Sequence, residues 1–193
     1  VPIARHRLTA GLELRGDRFT DADASAARPA LVGDREGGAV LAAFDLVADR
    51  AERFVITPAV RVELVRTAPT PSGEADAAPV QVRRDAIASP RISARAAVTS
   101  DLSLKASGGW YERLPTLVEL FGDRGTIVGS PNLLPERGPS AEAGGVWAPA
   151  RALAAVDRIM IETDGFWTRS HDTIALVPTA GFAVRAKNIA DAA

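Results

Sequence analysis

The sequence contains no cysteine, only two lysines and few aromatic side chains, which make up 5% of its residues. Without cysteine, the 193-residue chain has no disulfide, thiolate metal site or thiol nucleophile. No run of about 18 apolar residues is present, so no transmembrane helix is predicted. Basic and acidic residues number 23 and 24, giving a net charge of −1. That balance argues against a nucleic-acid-binding protein, which would carry a basic face.

Patterns typical of catalysis are also missing from the sequence. The two histidines, His6 and His171, stand in different strand-end contexts with no recurring carboxylate nearby. The chain has no Gly-x-Ser-x-Gly sequence, no phosphate-binding loop and no metal-ligand spacing of histidines. We therefore predict no catalytic residues, no metal site and no cofactor, and a protein that is not an enzyme.

What the chain does have is an alternation of apolar and polar residues with a period of two. Between residues 7 and 17, Leu8, Ala10, Leu12 and Leu14 alternate with polar neighbours. The same alternation runs through 54–64, 91–99 and 158–168, and more weakly through 39–48, 103–112, 142–149 and 181–187. These segments predict about eight strands, several of which reach the ~9–11 residues of a membrane-crossing strand.

The lengths of the predicted connections alternate along the chain. Short connections are predicted at 49–52, 100–102 and 149–157, and long ones at 20–38, 67–90, 113–141 and 170–180. Consecutive turns of an up-and-down antiparallel sheet lie at opposite ends, so all long connections share one rim, as in outer-membrane barrels. We predict an all-β fold: an incomplete, antiparallel, up-and-down transmembrane β-barrel segment of about eight strands. A soluble β-sandwich also has alternating strands and remains the alternative.

Residues 104–144 contain four motifs in a fixed order. They are Arg113-Leu114-Pro115-Thr116, Glu119-Leu120-Phe121, Gly129-Ser130-Pro131-Asn132-Leu133-Leu134-Pro135-Glu136 and Glu142-Ala143-Gly144. This set resembles the barrel domain of TonB-dependent outer-membrane receptors, which shows Arg-x-Pro-Thr, Glu-Leu-Phe, Gly-Asn-Pro-x-Leu-x-Pro-Glu and Glu-x-Gly in that order. Ser130 stands where the family usually has Asn, which weakens any hydrogen bond supplied there. Asn188 opens a segment similar to the family's Asn-x-x-x-Ala element.

The resemblance implies that residues 1–193 are one partial TonB-dependent receptor β-barrel domain in the bacterial outer membrane. The family takes up a scarce ligand, such as an iron–siderophore or cobalamin, with energy supplied through TonB. The expected partners are outer-membrane lipid, a small-molecule ligand such as a metal chelate, and TonB, but no nucleic acid. The plug and the segment that contacts TonB would lie before Val1. The motif residues to which a structural role is carried over are Pro115, Glu119, Leu120, Phe121, Pro131, Pro135, Glu136, Glu142, Gly144 and Asn188.

The alternation also predicts which polar side chains face the lumen. Candidate ligand-binding residues at the lumen or the external rim are Arg61, Glu63, Arg95, Lys105, Tyr111 and Arg113. We further expect Arg113 to form an ion pair with Glu142 across adjacent strands. Two other functions fit the sequence: a passive or adhesive outer-membrane barrel without energy coupling, and a soluble all-β binding domain.

Overall fold

A computed structural model describes residues 2–3, 5–22, 31–49, 51–70, 82–123, 125–149 and 159–189. In chain order the elements are β1 (Pro2–Ile3), β2 (His6–Asp21), β3 (Leu31–Val47), β4 (Phe54–Thr70), β5 (Arg83–Ala97), β6 (Leu102–Arg113), α1 (Leu117–Phe121), β7 (Ile127–Val128), β8 (Glu136–Trp147), β9 (Ile161–Thr168), β10 (Thr173–Pro178), a 3-10 turn (Ala180–Phe182) and β11 (Val184–Ile189). Within these ranges no helix has the length and apolar character needed to span a lipid bilayer.

Eight of the strands form one large sheet in the order β1-β2-β3-β4-β5-β6-β8-β9. Every neighbouring pair in it is antiparallel. A second, small sheet has the order β10-β11-β7, in which β11 is antiparallel to β10 and parallel to β7. The predicted all-β, up-and-down antiparallel fold is confirmed, and over the described residues the large sheet is an open segment.

One face of the large sheet, called the outer face, is apolar over most of its height. Direct partners form rows across the strands, and one such row consists of Leu12, Val40, Val62 and Ala88. Large apolar side chains on this face are exposed, with Leu12 at 75% and Leu14 at 79%. Along β4 the apolar stretch runs from Phe54 to Leu64, about 25 Å of height for a strand tilted by about 40°. That height matches the apolar band of a membrane barrel.

The opposite face, called the inner face, carries charged and hydroxyl side chains. By register it holds Glu13, Arg61, Glu63, Arg95, Lys105, Tyr111 and Arg113. A recess of about 820 Å³ on this face is lined by side chains from β2 to β9, including Arg7 and Asp164. Strands so far apart can border one recess only where the sheet curves. The sheet is therefore a curved wall with a concave polar face.

Two of the long connections are shorter than predicted because the strands extend further. β2 continues to Asp21 and β3 begins at Leu31, so most of the predicted loop 20–38 is strand. β4 reaches Thr70 and β5 begins at Arg83, within the predicted loop 67–90. Polar and glycine residues at these strand ends resemble a loop sequence. A strand that projects beyond the lipid into water can carry them.

The other predicted connections also differ from the structure. Residues 113–141 hold α1, β7 and the start of β8, which begins at Glu136. The predicted loop 170–180 contains β10, because these residues pair with β11. β8 and β9 are joined by 148–160, longer than the predicted 149–157, and 150–158 lie outside the described residues.

Compact packing occurs at the end of the sheet that carries the long connections. Leu120 of α1, Leu133 and Ala186 of β11 bury one another, at 3%, 3% and 0% exposure, with Phe121 and Ile174 packed against them. This unit, formed by residues 114–123 and 125–135 together with β10 and β11, is called the rim module below. It is where most of the motif residues meet.

Candidate functional site

Arg61 of β4 lies on the inner face and forms ion pairs with two carboxylates, one on β2 and one on its own strand. Its Nη1 lies 2.8 Å from Glu13 Oε2 and its Nη2 lies 3.2 Å from Glu63 Oε2. In the register, Ala39 of β3 is the partner of both glutamates. Because the methyl group of Ala39 is small, the guanidinium can reach across β3. Arg61 and Glu63 are thus committed to one ion-pair group.

Lys105 forms a second ion-pair group, which crosses β8. Its Nζ lies 2.5 Å from Glu162 Oε1 and 3.2 Å from Asp164 Oδ1. Gly144 is the register partner of both Lys105 and Asp164. A Cβ at Gly144 would lie 2.1 Å from Asp164 Oδ1. The missing side chain therefore lets the pair form, which gives the Glu-x-Gly motif a reason in packing.

Glu142 belongs to a third ion-pair group, and its partner is not the predicted one. Its Oε1 accepts hydrogen bonds from Arg91 Nη2 and, at 2.9 Å, from Ser107 Oγ. Arg113 lies opposite Glu136, whereas Glu142 lies opposite Ser107. The expected pair of Arg113 with Glu142 is wrong, although both side chains lie on the inner face. Alternation predicts the face of a residue, but register depends on where β8 begins.

Arg95 differs from the other candidate residues because it has no ion-pair or side-chain hydrogen-bond partner among the described residues. It borders the recess of about 820 Å³ together with Arg7 and Asp45. Asp45 instead accepts a hydrogen bond from Thr57 Oγ1 at 2.7 Å. The recess therefore holds a guanidinium available to an acidic group. Across the described ranges, no three histidine, aspartate or glutamate side chains gather so as to hold a metal ion.

Glu136, the first residue of β8, joins four segments of the rim. Its Oε1 accepts hydrogen bonds from Ser170 Oγ at 3.0 Å and from the Tyr111 hydroxyl at 3.4 Å. Its Oε2 accepts from Arg113 Nη2 at 3.1 Å and from the Ile174 N–H at 3.5 Å. The Glu136 side chain is only 17% exposed. One carboxylate thus holds the ends of β6, β8 and β10 together.

Glu119 connects α1 to the same network. Thr116 and Glu119 form a capping box: Thr116 Oγ1 accepts from the Glu119 N–H at 3.2 Å, and Glu119 Oε2 accepts from the Thr116 N–H at 2.7 Å. Arg113 Nη1 donates to Glu119 Oε2 at 3.3 Å. The Arg113 guanidinium therefore lies between a carboxylate of α1 and a carboxylate of β8 and connects the two elements.

Two arginines and one aromatic ring attach the rim module to the inner face. Arg35 of β3 donates from Nη2 to the Pro115 carbonyl at 2.5 Å, and Arg83 of β5 donates to the Leu133 carbonyl. The Phe121 ring covers Gly33, where a Cβ would lie 2.3 Å from the ring. Sequence reasoning missed both arginines because they fall in segments interpreted as loops. Continuing the strand alternation past the glycines would have placed Arg35 on the inner face.

Asn188 and Ser130 close the far side of the rim module. The Asn188 amide accepts from the Leu134 N–H at 2.8 Å and donates to the carbonyls of Leu134 and Asp172 at 3.0 and 2.6 Å. Ser130 Oγ donates to the Ala186 carbonyl at 2.6 Å. The hydroxyl thus supplies a hydrogen bond of normal length where the family usually has Asn. Pro131 lies in an exposed turn and Pro135 directly precedes β8.

Asp123 shapes the turn between α1 and β7. Its Oδ1 accepts from the Ile127 N–H at 2.6 Å and from the Gly125 N–H at 3.0 Å. These backbone bonds, that of Ile127 most of all, hold the pKa of the Asp123 carboxyl below its ordinary value. Gly122 has a φ of +79°, and a Cβ there would lie 2.6 Å from the Ile127 carbonyl. Glycine is therefore required at 122.

A curved antiparallel sheet with an apolar convex face and a charged concave face defines the wall of a transmembrane-type β-barrel. A family model described as "TonB dependent receptor-like, beta-barrel" matches residues 4–193. The chain belongs to this family, the TonB-dependent receptor β-barrels. No curated protein sequence matches the chain.

Three solved structures have a similar fold. The copper transporter OprC has a TM-score of 0.75 and 17% identity over 96% of this chain and 30% of that chain. The FrpB iron transporter of Neisseria meningitidis has a TM-score of 0.65 and 15% identity over 97% and 29%. The hemophore receptor HasR of Serratia marcescens, in complex with its hemophore HasA and heme, has a TM-score of 0.64 and 15% identity over 96% and 38%. The chain thus spans less than half the length of each.

Proposed function

We propose that residues 1–193 form part of the barrel domain of a receptor in the bacterial outer membrane that takes up a scarce ligand with energy supplied through TonB. The two faces of the sheet carry this proposal. The outer face below the rim bears no charged residue on described β2–β9, while the inner face is crossed by ion pairs. Lipid on one side and water on the other is the environment that suits such a wall.

The ligand class we propose is a metal chelate, such as an iron–siderophore or cobalamin. Similar structures are named as transporters of copper and of iron and as a receptor for a heme-carrying hemophore. A chelate with carboxylate or other anionic groups would need basic partners on the inner face. Arg61, Lys105 and Arg113 already have acidic partners, so Arg95 is the candidate whose charge remains available. In this proposal Glu63 and Tyr111 do not contact the ligand directly. Glu63 holds Arg61 in an ion pair, and the Tyr111 hydroxyl donates a hydrogen bond to Glu136.

The test uses the intact receptor of which this chain forms a part. In cells, uptake of a labelled ferric siderophore, cobalamin, heme or Cu²⁺ is measured with and without TonB. We expect uptake of one of the four probes to require TonB. Arg95→Gln should lower uptake of an anionic probe more than Arg61→Gln does. The reason is that the Arg61 guanidinium is already paired with Glu13 and Glu63 and is not available to the probe.

Two outcomes would separate this function from its alternatives. Uptake that is unchanged without TonB would indicate a passive barrel, and binding without uptake in either strain would indicate an adhesive one. A receptor that partitions into buffer and shows the same gel migration before and after heating would indicate a soluble all-β binding domain. Either result would overturn the proposal.

A further inference from the structure

Charged residues on the outer face begin at one level of the wall, on the side of the long connections. The row Leu14, Gly38, Leu64 and Ala86 is apolar, and the next row towards the long connections is Gly16, Glu36, Arg66 and Arg84. The row of Gly16, Glu36, Arg66 and Arg84 is called the outer charged row. It marks the upper edge of the apolar band, at the depth where lipid headgroups lie beside a barrel.

Positive charge is left over within the outer charged row. Arg66 and Arg84 are direct cross-strand partners, and like charges so placed repel each other unless an anion lies between them. Arg66 Nη1 lies 3.7 Å from Glu36 Oε2, with both side chains well exposed, at 46% and 70%. Arg84 is exposed and has no ion-pair or side-chain hydrogen-bond partner among the described residues.

Other charges at the same edge of the outer face are balanced. Arg18 Nε lies 3.7 Å from its register partner Asp34. Arg137 lies opposite Glu112 and 3.8 Å from Asp172. Among the described residues of the outer face, Arg66 and Arg84 are the one pair of arginines on adjacent strands, and Glu36 is the one carboxylate near them. The excess is therefore local and not a general property of the rim.

We propose that Arg66 and Arg84 bind the phosphate of an anionic lipid in the leaflet on the side of the long connections. Two planar guanidinium groups can share the oxygens of one phosphate and remove the repulsion between them. Leu64 and Ala86 lie directly below, so the acyl chains of the same molecule would cover the apolar band. This continuity favours a lipid headgroup over a free anion. The inference rests on the membrane position given under the proposed function.

The test measures lipid binding to the intact, detergent-solubilised receptor by native mass spectrometry. Diphosphoryl lipid A and zwitterionic phosphatidylcholine are the probes, and inorganic phosphate is added as a competitor. We expect lipid A to bind more tightly than phosphatidylcholine. Each of Arg66→Gln and Arg84→Gln should weaken lipid A binding about fivefold, the usual effect of one basic residue near anionic lipid.

Two further variants serve as controls of opposite kinds. Glu36→Gln removes the one carboxylate from the row and should strengthen lipid A binding. Arg18→Gln, on the same face but already paired with Asp34, should leave it unchanged. Equal weakening by Arg18→Gln and Arg84→Gln, or competition by millimolar phosphate alone, would overturn the lipid site. If the receptor inserts in membranes but shows no preference for lipid A, this inference is wrong and the proposed function is unaffected. If the receptor fails to insert, both are wrong.

Discussion

The ion pairs on the inner face depend on small residues that lie between the charged ones. Ala39 lies between Glu13 and Glu63 in the register, and Gly144 lies between Lys105 and Asp164. Because the partners come from strands that are not adjacent, any larger side chain in between would occupy the space of the ion pair. The identity of the intervening residue therefore matters as much as the charges themselves.

Gly144→Ala is expected to lower the free energy of unfolding by about 1–3 kcal/mol, the usual cost of an added methyl group in a packed site. The new Cβ would lie 2.1 Å from Asp164 Oδ1 and 2.4 Å from the Thr163 carbonyl, and the carbonyl cannot rotate away. Gly16→Ala is the control, since nothing lies within 4 Å of its Cβ position. Denaturant titration of the intact receptor in detergent measures both. Equal stability of the two variants would contradict the packing role.

At the scale of elements, the rim module is held by side chains that link strands, helix and connection. Glu136 joins the ends of three strands, and Arg113 shares its guanidinium between Glu136 and Glu119. Arg35 and Arg83 add bonds to backbone carbonyls of the long connection. The module therefore opens only when several charge-assisted bonds break together.

Glu136→Gln should lower the free energy needed to open the rim module by about 1.5–3 kcal/mol, the usual worth of a hydrogen bond to a charged group. The amide presents an NH₂ group to donors, so at least one of its four donors loses its acceptor. Hydrogen exchange of residues 114–123 and 173–189 in the intact receptor measures the change.

The matched control for this change is Glu142→Gln on the same strand. The Glu142 side chain is 55% exposed, and an exposed ion pair contributes only about 0–1 kcal/mol. Faster exchange in the rim module is expected for Glu136→Gln alone. If both variants, or neither, raise the exchange rate there, the network around Glu136 is not what holds the module closed.

Strand alternation predicts the two faces of the sheet, but it does not predict the structure at the end that carries the long connections. Residues such as Arg61 and Lys105 fall on the expected face because a period of two is a local property of each strand. Register depends on how two strands align along their whole length, which alternation within one strand does not reveal. The predicted pair of Arg113 with Glu142 is wrong for this reason. Arg35 and β10 were missed because strand ends that enter water have the composition of loops. The motifs between Arg113 and Glu136 are recognised in the sequence by resemblance, but the arginines that bond this segment come from distant strands and could not be predicted.

At the scale of the whole molecule, the chain has the opposite arrangement to that of a soluble domain. Among the described residues, a packed cluster of buried apolar side chains lies in the rim module and a few more are buried on the inner face, whereas the outer face exposes leucines, valines and tryptophans along six strands. Below the outer charged row, the charged side chains of the sheet face the concave side, where most of them form ion pairs. An exposed apolar surface of this extent is typical of a protein that contacts lipid or another protein.

We therefore expect the 193-residue chain, expressed alone and refolded in plain buffer, to aggregate. Leu12, Leu14 and Leu64 are 75%, 79% and 64% exposed, and among the described residues most of β2 and all of β9 have a strand partner on one side only. Size-exclusion chromatography with light scattering compares refolding with and without detergent. Detergent covers the outer face, so it should keep the chain dispersed. A monodisperse, folded sample in buffer would mean that these side chains pack against protein. The interpretation of the sheet as the wall of a membrane barrel would then be wrong.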